Sequence, residues 1–304
     1  MNERNAELNN ALASNFMLVD MQLRSWSGKR TDRGASDELI ASKSAARDSG
    51  AFVKNLLASA GEELKGVHTM GNALRTFVYN NTLPWSASDG AKRGERVLAT
   101  TKALVFLSDL NGLKKEYDRA VINLVNVWDV RVGEAMQNLG ALADQSDYPD
   151  AQSIASMFSV SVDLKPIPAV ADFSRLNVPA ELAQALSKRH ELAAQTQVAN
   201  AMADLRDRII EELERIHKQM SKVANSEKTR LYDTLITNMQ VLVDMAGHMN
   251  LTSNPKMDEL IEKIKLGVIS RPVEAYKDNV ALASQLADTA KNLAVEAAME
   301  EVWA

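Results

Sequence analysis

Phe158, Val160, Val162 and Leu164 alternate with Ser159, Ser161, Asp163 and Lys165, a period of two that puts four apolar side chains on one face of a strand. Pro166 and Pro168 end it. On both sides the period changes to three and four. Leu104, Leu107, Leu110, Tyr117, Val121, Leu124, Trp128, Val132, Met136, Leu139 and Leu142 mark a helix that starts near Thr101 and stops at Asp147-Tyr148-Pro149-Asp150. Leu182, Leu186, Val198, Met202, Leu205, Ile209, Leu213, Ile216, Met220 and Val223 mark a second, opened by Pro179 near its first helical position. Over residues 180 to 224 that helix would run about 65 Å. Both stripes approach a seven-residue repeat, so the two helices are expected to pack as an antiparallel pair. The strand at 156–173 then lies at the far end, with Phe158, Val160, Val162, Leu164 and Ile167 as a partner-binding tip.

Elsewhere the pattern is shorter. Residues 1 to 14 are polar and read as a frayed lead-in. Met17, Val19, Met21 and Leu23 alternate with Asp20, Gln22 and Arg24, a strand ending at Ser27-Gly28. GKRTDRGASDE has loop composition, and Ser36 with Asp37 predicts a helix over 37–60. Leu64, Val67, Leu74 and Val78 predict another from Glu62, closed by Asn80-Asn81-Thr82-Leu83-Pro84. After a polar loop, SASDGAKRGE, Arg96 to Thr100 predicts a short strand paired with the first. A third long helix is expected over about 227–250, then a short one, then an Ala-rich helix after Arg271-Pro272 reaching about 302. The expected fold class is mainly α: an elongated antiparallel long-helix pair with a short β tip and a small α+β base. Its segments are 1–100 (base), 101–225 (hairpin) and 226–304 (helices packing on either).

Composition narrows the chemistry. The 304 residues include no cysteine, which removes disulfides, thiolate metal sites and cysteine nucleophiles and fits a reducing compartment. The expected location is the cytoplasm of a bacterium or of a phage-infected host cell. Apolar residues are 46% and the net charge is −5, so general basic coating for nucleic acid is excluded. No basic start with an apolar run suggests a secretory signal, and no stretch reaches the roughly 18 apolar residues that span a bilayer.

Catalytic patterns stay incomplete. Glu214 and His217 form Glu-x-x-His, whose i, i+3 spacing puts two ligands on one helix face, but di-iron sites need two such pairs and two more carboxylates. Asp244 with His248 has a different spacing. His68 and His190 have no carboxylate at metal spacing, and no Gly-x-Ser-x-Gly elbow occurs. Gly28-Lys29 lacks the earlier glycine and following Ser or Thr of a phosphate loop, since Arg30 stands there. The reading is a non-enzyme with no cofactor and no metal. Arg24, Lys29, Arg30 and Arg33 beside Trp26 could grip a phosphate backbone and stack a base, against the plainer reading of a solvated loop anchored by Trp26. The apolar tongue at 158–170 allows a third idea, a conformationally switched membrane-inserting protein, which Asp163 and Lys165 oppose.

The order Leu23-Arg24-Ser25-Trp26-Ser27-Gly28-Lys29-Arg30, then Glu116-Tyr117-Asp118 opening a helix with Trp128, then Phe158-Ser159-Val160-Ser161-Val162 followed by Pro166-Ile167-Pro168, resembles a family of uncharacterised bacterial and tailed-phage proteins. These are often encoded near a MoxR- or CobS-type AAA+ ATPase. The resemblance covers roughly residues 16 to 225 and departs at Val162, where the family often carries another aromatic. It brings no catalytic residue. It implies a protein partner, an AAA+ ATPase foremost, for a helical interaction or structural protein acting as adaptor or in an assembly. Long apolar stripes also suggest a homo-oligomer; nucleic acid and membrane rank lower as partners.

Overall fold

The computed structural model describes residues 2–46, 48–86, 94–175 and 177–303. Most of the SASDGAKRGE loop lies outside the described residues. In chain order the elements are α1 (Asn2–Asn15), β1 (Phe16–Arg24), β2 (Lys29–Asp32), α2 (Arg33–Ser42), β3 (Phe52–Asn55), α3 (Glu62–Asn81), β4 (Leu83–Pro84) and β5 (Arg96–Ala99). Then come α4 (Ala103–Asn126), α5 (Trp128–Leu139), α6 (Ala151–Ser156), β6 (Ser159–Pro166), α7 (Ala180–Ala224), α8 (Thr234–Ala246), α9 (Pro255–Gly267) and α10 (Val280–Ala297). The protein is mainly helical with a small sheet, as the periodicity predicts.

Two compact units share the chain: Met1–Asp20, Val78–Phe106 and Asp163–Ala304 form the first, Met21–Phe77 and Leu107–Val162 the second. The first unit is built on α7. Its stripe from Ala194 through Val198, Met202, Leu205, Ile209, Leu213, Ile216, Met220 and Val223 is buried, because α10 supplies the main facing helix and α8 a second. Alanines at 283, 287, 290, 294 and 297 of α10 are buried, and side chains this small allow close approach to the large residues of α7. His217 on α7 donates from Nδ1 to the Ala287 carbonyl at 2.9 Å. The stripe on 104–142 was expected to serve as that facing helix. It closes instead within the second unit, where Tyr117, Leu124, Trp128 and Val132 are buried. Leu104, counted in the same stripe, is 84% exposed.

One four-stranded sheet has the order β4-β5-β1-β6. The expected pairing of the first strand with Arg96–Ala99 is present, antiparallel, with Phe16 opposite Ala99 and Val19 opposite Arg96. β1, flanked on both edges, buries both faces at its start, Leu18 as well as Val19. The strand at 159–166 is therefore a sheet strand and not a free tip. Phe158, Val160 and Ile167 are buried and Val162 and Leu164 half-buried, so the alternating apolar row faces inward. Lys165, expected to interrupt the row, bonds Asp20 at 3.1 Å and Glu95 at 3.2 Å.

Three further differences have local causes. Residues 2–15 form a helix, with Leu12 in the core at 1% exposure. The loop after Gly28 is a strand, β2, paired antiparallel with β3 from Lys29–Asn55 to Asp32–Phe52. The expected 37–60 helix stops at Ser42: the Asp32 side chain caps α2 by accepting from the Ala35 N–H, and the chain then returns as β3.

A buried charge group sits in the first unit. Arg208 of α7 lies over the Tyr79 ring at 3.5 Å, donates to the Tyr79 carbonyl at 2.9 Å and pairs with Asp204 at 2.6 Å. Arg96 flanks the same ring at 5.1 Å and donates to Thr82 Oγ1 at 2.6 Å and Thr82 O at 2.8 Å. Burial pushes Arg96 down to about 10 and raises Asp204, leaving Arg96 charged at neutral pH.

Candidate functional site

The Trp26 to Arg33 segment is largely occupied by its own unit. Trp26 is half-buried and meets the buried Trp128 edge-on, with ring centroids 5.3 Å apart and planes at 77°. Its carbonyl accepts from His68 Nε2 at 2.9 Å, and the Arg24 carbonyl accepts from the Tyr117 hydroxyl at 3.2 Å. Gly28 has φ +66°, and a Cβ there would meet Leu64 Cδ2 at 2.6 Å, so this turn requires glycine. Arg30 bonds Asp147 at 2.9 Å. The sequence reading missed Lys54, whose ammonium, 6% exposed, bonds Asp147 at 2.5 Å, Asp32 at 3.0 Å and the Leu142 carbonyl at 3.1 Å. Donation to the Asp147 carboxylate, then to Asp32, holds Lys54 above its usual range. The Ala35 N–H, then Lys54, holds Asp32 below the usual carboxylate range. Arg24, Lys29 and Arg33 remain exposed.

Histidines play packing or polar roles. His190 hydrogen-bonds the Pro168 carbonyl at 2.9 Å and meets the Phe173 ring. Glu214 is exposed while its i+3 neighbour His217 is turned to the Ala287 carbonyl. Burial, then the nearby Lys102, lowers His248. Among the described residues no group of three His, Asp or Glu side chains is placed to hold a metal ion, and no helix is long and apolar enough to cross a membrane.

The candidate site emerges from the outer faces of α9 and α10. Asn254 caps α9 by accepting from the Lys256 N–H at 3.0 Å, with Pro255 in the first turn. Met257, Leu260, Ile261 and Ile264 turn inward. That leaves Lys256, Glu259, Lys263 and Leu266, spaced three, four and three, on the opposite face. On α10, Leu293, Ala294 and Ala297 are buried while Asn292 and Val295 face out, and Met299 just beyond the helix does the same. The helices run antiparallel: Gly267 lies against Thr289 and Leu293, Lys263 bonds Glu296 at 2.6 Å, and Lys256 bonds Glu301 at 2.7 Å. A Cβ on Gly267 would meet Thr289 Cγ2 at 2.9 Å, so the helices are closest there. Trp303 Nε1 donates to the Ala297 carbonyl at 2.7 Å and Asn254 Nδ2 to the Glu301 carbonyl at 2.9 Å, which pins the wall formed by residues 299–302.

Between these walls is a groove of about 350 Å³ lined by Lys256, Glu259, Asn292, Val295, Glu296, Met299, Glu301 and Val302. Val295 is 60% and Met299 46% exposed, and Leu266, continuing the α9 face, is 76% exposed. The three contribute little to the core and leave apolar area in water. The ion pair with Glu296 holds Lys263 above its usual range, with Glu259 adding to the effect.

A larger cleft, about 730 Å³, lies where α7 ends and α10 begins, lined among others by Glu227, Arg230, Tyr232, Asp233, Lys277 and Asp278. Arg230 covers the Tyr232 ring at 5.0 Å and Lys277 bonds Glu274 at 3.3 Å. The cleft is the more polar of the two, whereas the α9–α10 groove mixes charged side chains with exposed Val295 and Met299, and the cleft has the weaker claim as a docking face.

Comparison of the chain with protein-family models, curated proteins and solved structures gives no match.

Proposed function

We propose that this chain is a non-enzymatic helical interaction protein, and that a protein partner docks on the α9–α10 groove. The observation that carries this reading is the set Leu266, Val295 and Met299, exposed beside ion pairs that fix both walls. An apolar strip with a charged, pre-ordered rim is what helix-in-groove recognition uses. The expected tip offers less apolar surface, since Phe158, Val160 and Ile167 are buried and Val162 and Leu164 half-buried.

A MoxR- or CobS-type AAA+ ATPase is the partner that the family resemblance implies, with the chain as adaptor or as part of an assembly. A photo-crosslinking residue at Val295 of the full chain, expressed in the source cells, tests both levels. A protein adduct at Val295, absent from a control placed at exposed Lys29, is the expected result, and its identity decides the ATPase question. Absence of an adduct at both Val295 and Leu266 overturns the reading.

A further inference from the structure

We infer that the occupant of the α9–α10 groove is an amphipathic helix of a partner protein with lysine or arginine flanking its apolar face. This rests on the groove being the docking face proposed above. The floor sets the shape. Val295 stands on the α10 wall, Met299 on the wall just beyond that helix, and Leu266 continues the outer face of α9 past the lining residues; the 13 residues of α9 rise about 20 Å. Three anchors over that length match the i, i+4, i+7 face of a partner helix of three to four turns. Met299 adds an unbranched, polarisable contact that adapts to the shape pressed on it.

Charge sets the chemistry. Lys256 and Lys263 are already bonded, to Glu301 and Glu296. Glu259, between those lysines in the row, and the exposed Glu300 make no ion pair among the described residues. The surplus at the rim is therefore anionic and solvent-exposed. Lys291 of α10, also exposed, lies outside the groove lining, so the lining itself carries the surplus as Glu259; a cationic side chain can pair there with little desolvation, whereas an anionic partner meets like charge. A second copy of this chain fits less well: two-fold pairing of the same face would bring together two rims with the same acidic surplus.

The test uses the full chain and two labelled peptides of about 18 residues with identical apolar spacing, one Leu–Lys and one Leu–Glu, followed by fluorescence anisotropy. The Leu–Lys peptide is expected to bind at least tenfold more tightly, a difference of about 1.4 kcal/mol. Val295→Asp with Met299→Asp should weaken that binding tenfold or more while circular dichroism stays unchanged. Glu259→Lys with Glu300→Lys should remove the preference and keep the apolar contribution. Equal affinity for both peptides overturns the inference, as does Leu–Lys binding that ignores the Val295→Asp and Met299→Asp changes. So does a dimer, seen by sedimentation, that those two changes dissociate, because the groove would then belong to a second copy. A Val295 adduct in cells together with failure of the Leu–Lys peptide removes only the basic occupant; no adduct at Val295 or Leu266 removes the groove itself.

Discussion

The two units each bury a charge cluster, and they satisfy it in opposite ways. In the cluster of the 21–77 and 107–162 unit both cations meet carboxylates: Lys54 holds Asp147 and Asp32, and Arg30 takes the other oxygen of Asp147. In the unit containing α7, two guanidiniums share the Tyr79 ring with one carboxylate, Asp204, and rely on backbone and hydroxyl oxygens for their remaining bonds. Ionisation is favoured in the first, so Lys54 is raised and Asp32 lowered. It is disfavoured by burial in the second, so Arg96 and Arg208 are lowered and Asp204 raised. Similar residue types thus acquire opposite pH responses from their surroundings.

The largest expected effect follows from removing one partner of the fully paired cluster. Lys54→Met leaves Asp32 and Asp147 facing each other with a buried carboxylate, and should cost about 3–5 kcal/mol in urea unfolding. Arg208→Met should cost less, about 1–2 kcal/mol for the lost ring and carbonyl contacts, because burial already raises Asp204 and so eases its neutralisation once the partner is gone. Adding Asp204→Asn should recover part of that loss. If Arg208→Met proves the costlier change, the contrast between ion-paired and ring-stacked clusters is broken.

Acid should separate the units next. Asp32 and Glu63 are held low, by the Ala35 N–H and by Arg131, so their stabilisation is present above the ordinary carboxylate range and is lost as pH falls through their depressed values. Asp204 and Glu212 are raised by burial, so the penalty on their charged forms is relieved as pH falls below their elevated values. Hydrogen exchange from about pH 5 downward should therefore show β2–β3 amides losing protection before the Leu205–Ile209 stretch of α7. Simultaneous loss would show that these carboxylates do not set acid stability.

The smallest effect belongs to exposed cations outside both clusters. Arg24→Ala with Lys29→Ala should shift stability by less than about 0.5 kcal/mol. The same variant sharpens the nucleic-acid alternative: single-stranded DNA bound at low salt by the parent and lost in the variant would give the loop a function that its internal bonding does not require.

Legibility followed the reach of the forces. The α7 boundaries, the β1–β5 pairing and the β6 alternation were readable because a single periodic face announces each of them. The β2–β3 hairpin was not. Lys29-Arg30-Thr31-Asp32 is short and polar, and Asp147, which bonds both Arg30 and Lys54, lies about ninety residues further along the chain. The groove was equally hidden: the last helix was readable as Ala-rich, but which of its residues face out depends on where α7 and α9 lie.

The sequence by itself determined a mainly helical chain with apolar stripes of set length, because 3.6-residue periodicity is local and repeated. It also determined that the row Phe158, Val160, Val162 and Leu164 is one face of a strand. Tertiary structure alone decided what each face meets: α10 for the stripe of α7, the sheet for the β6 strand, and solvent for Leu266, Val295 and Met299. A stripe specifies only that it needs apolar cover, and any sufficiently apolar neighbour supplies it; the choice among neighbours rests on shape, small residues and charge pairs that come together only in the folded chain.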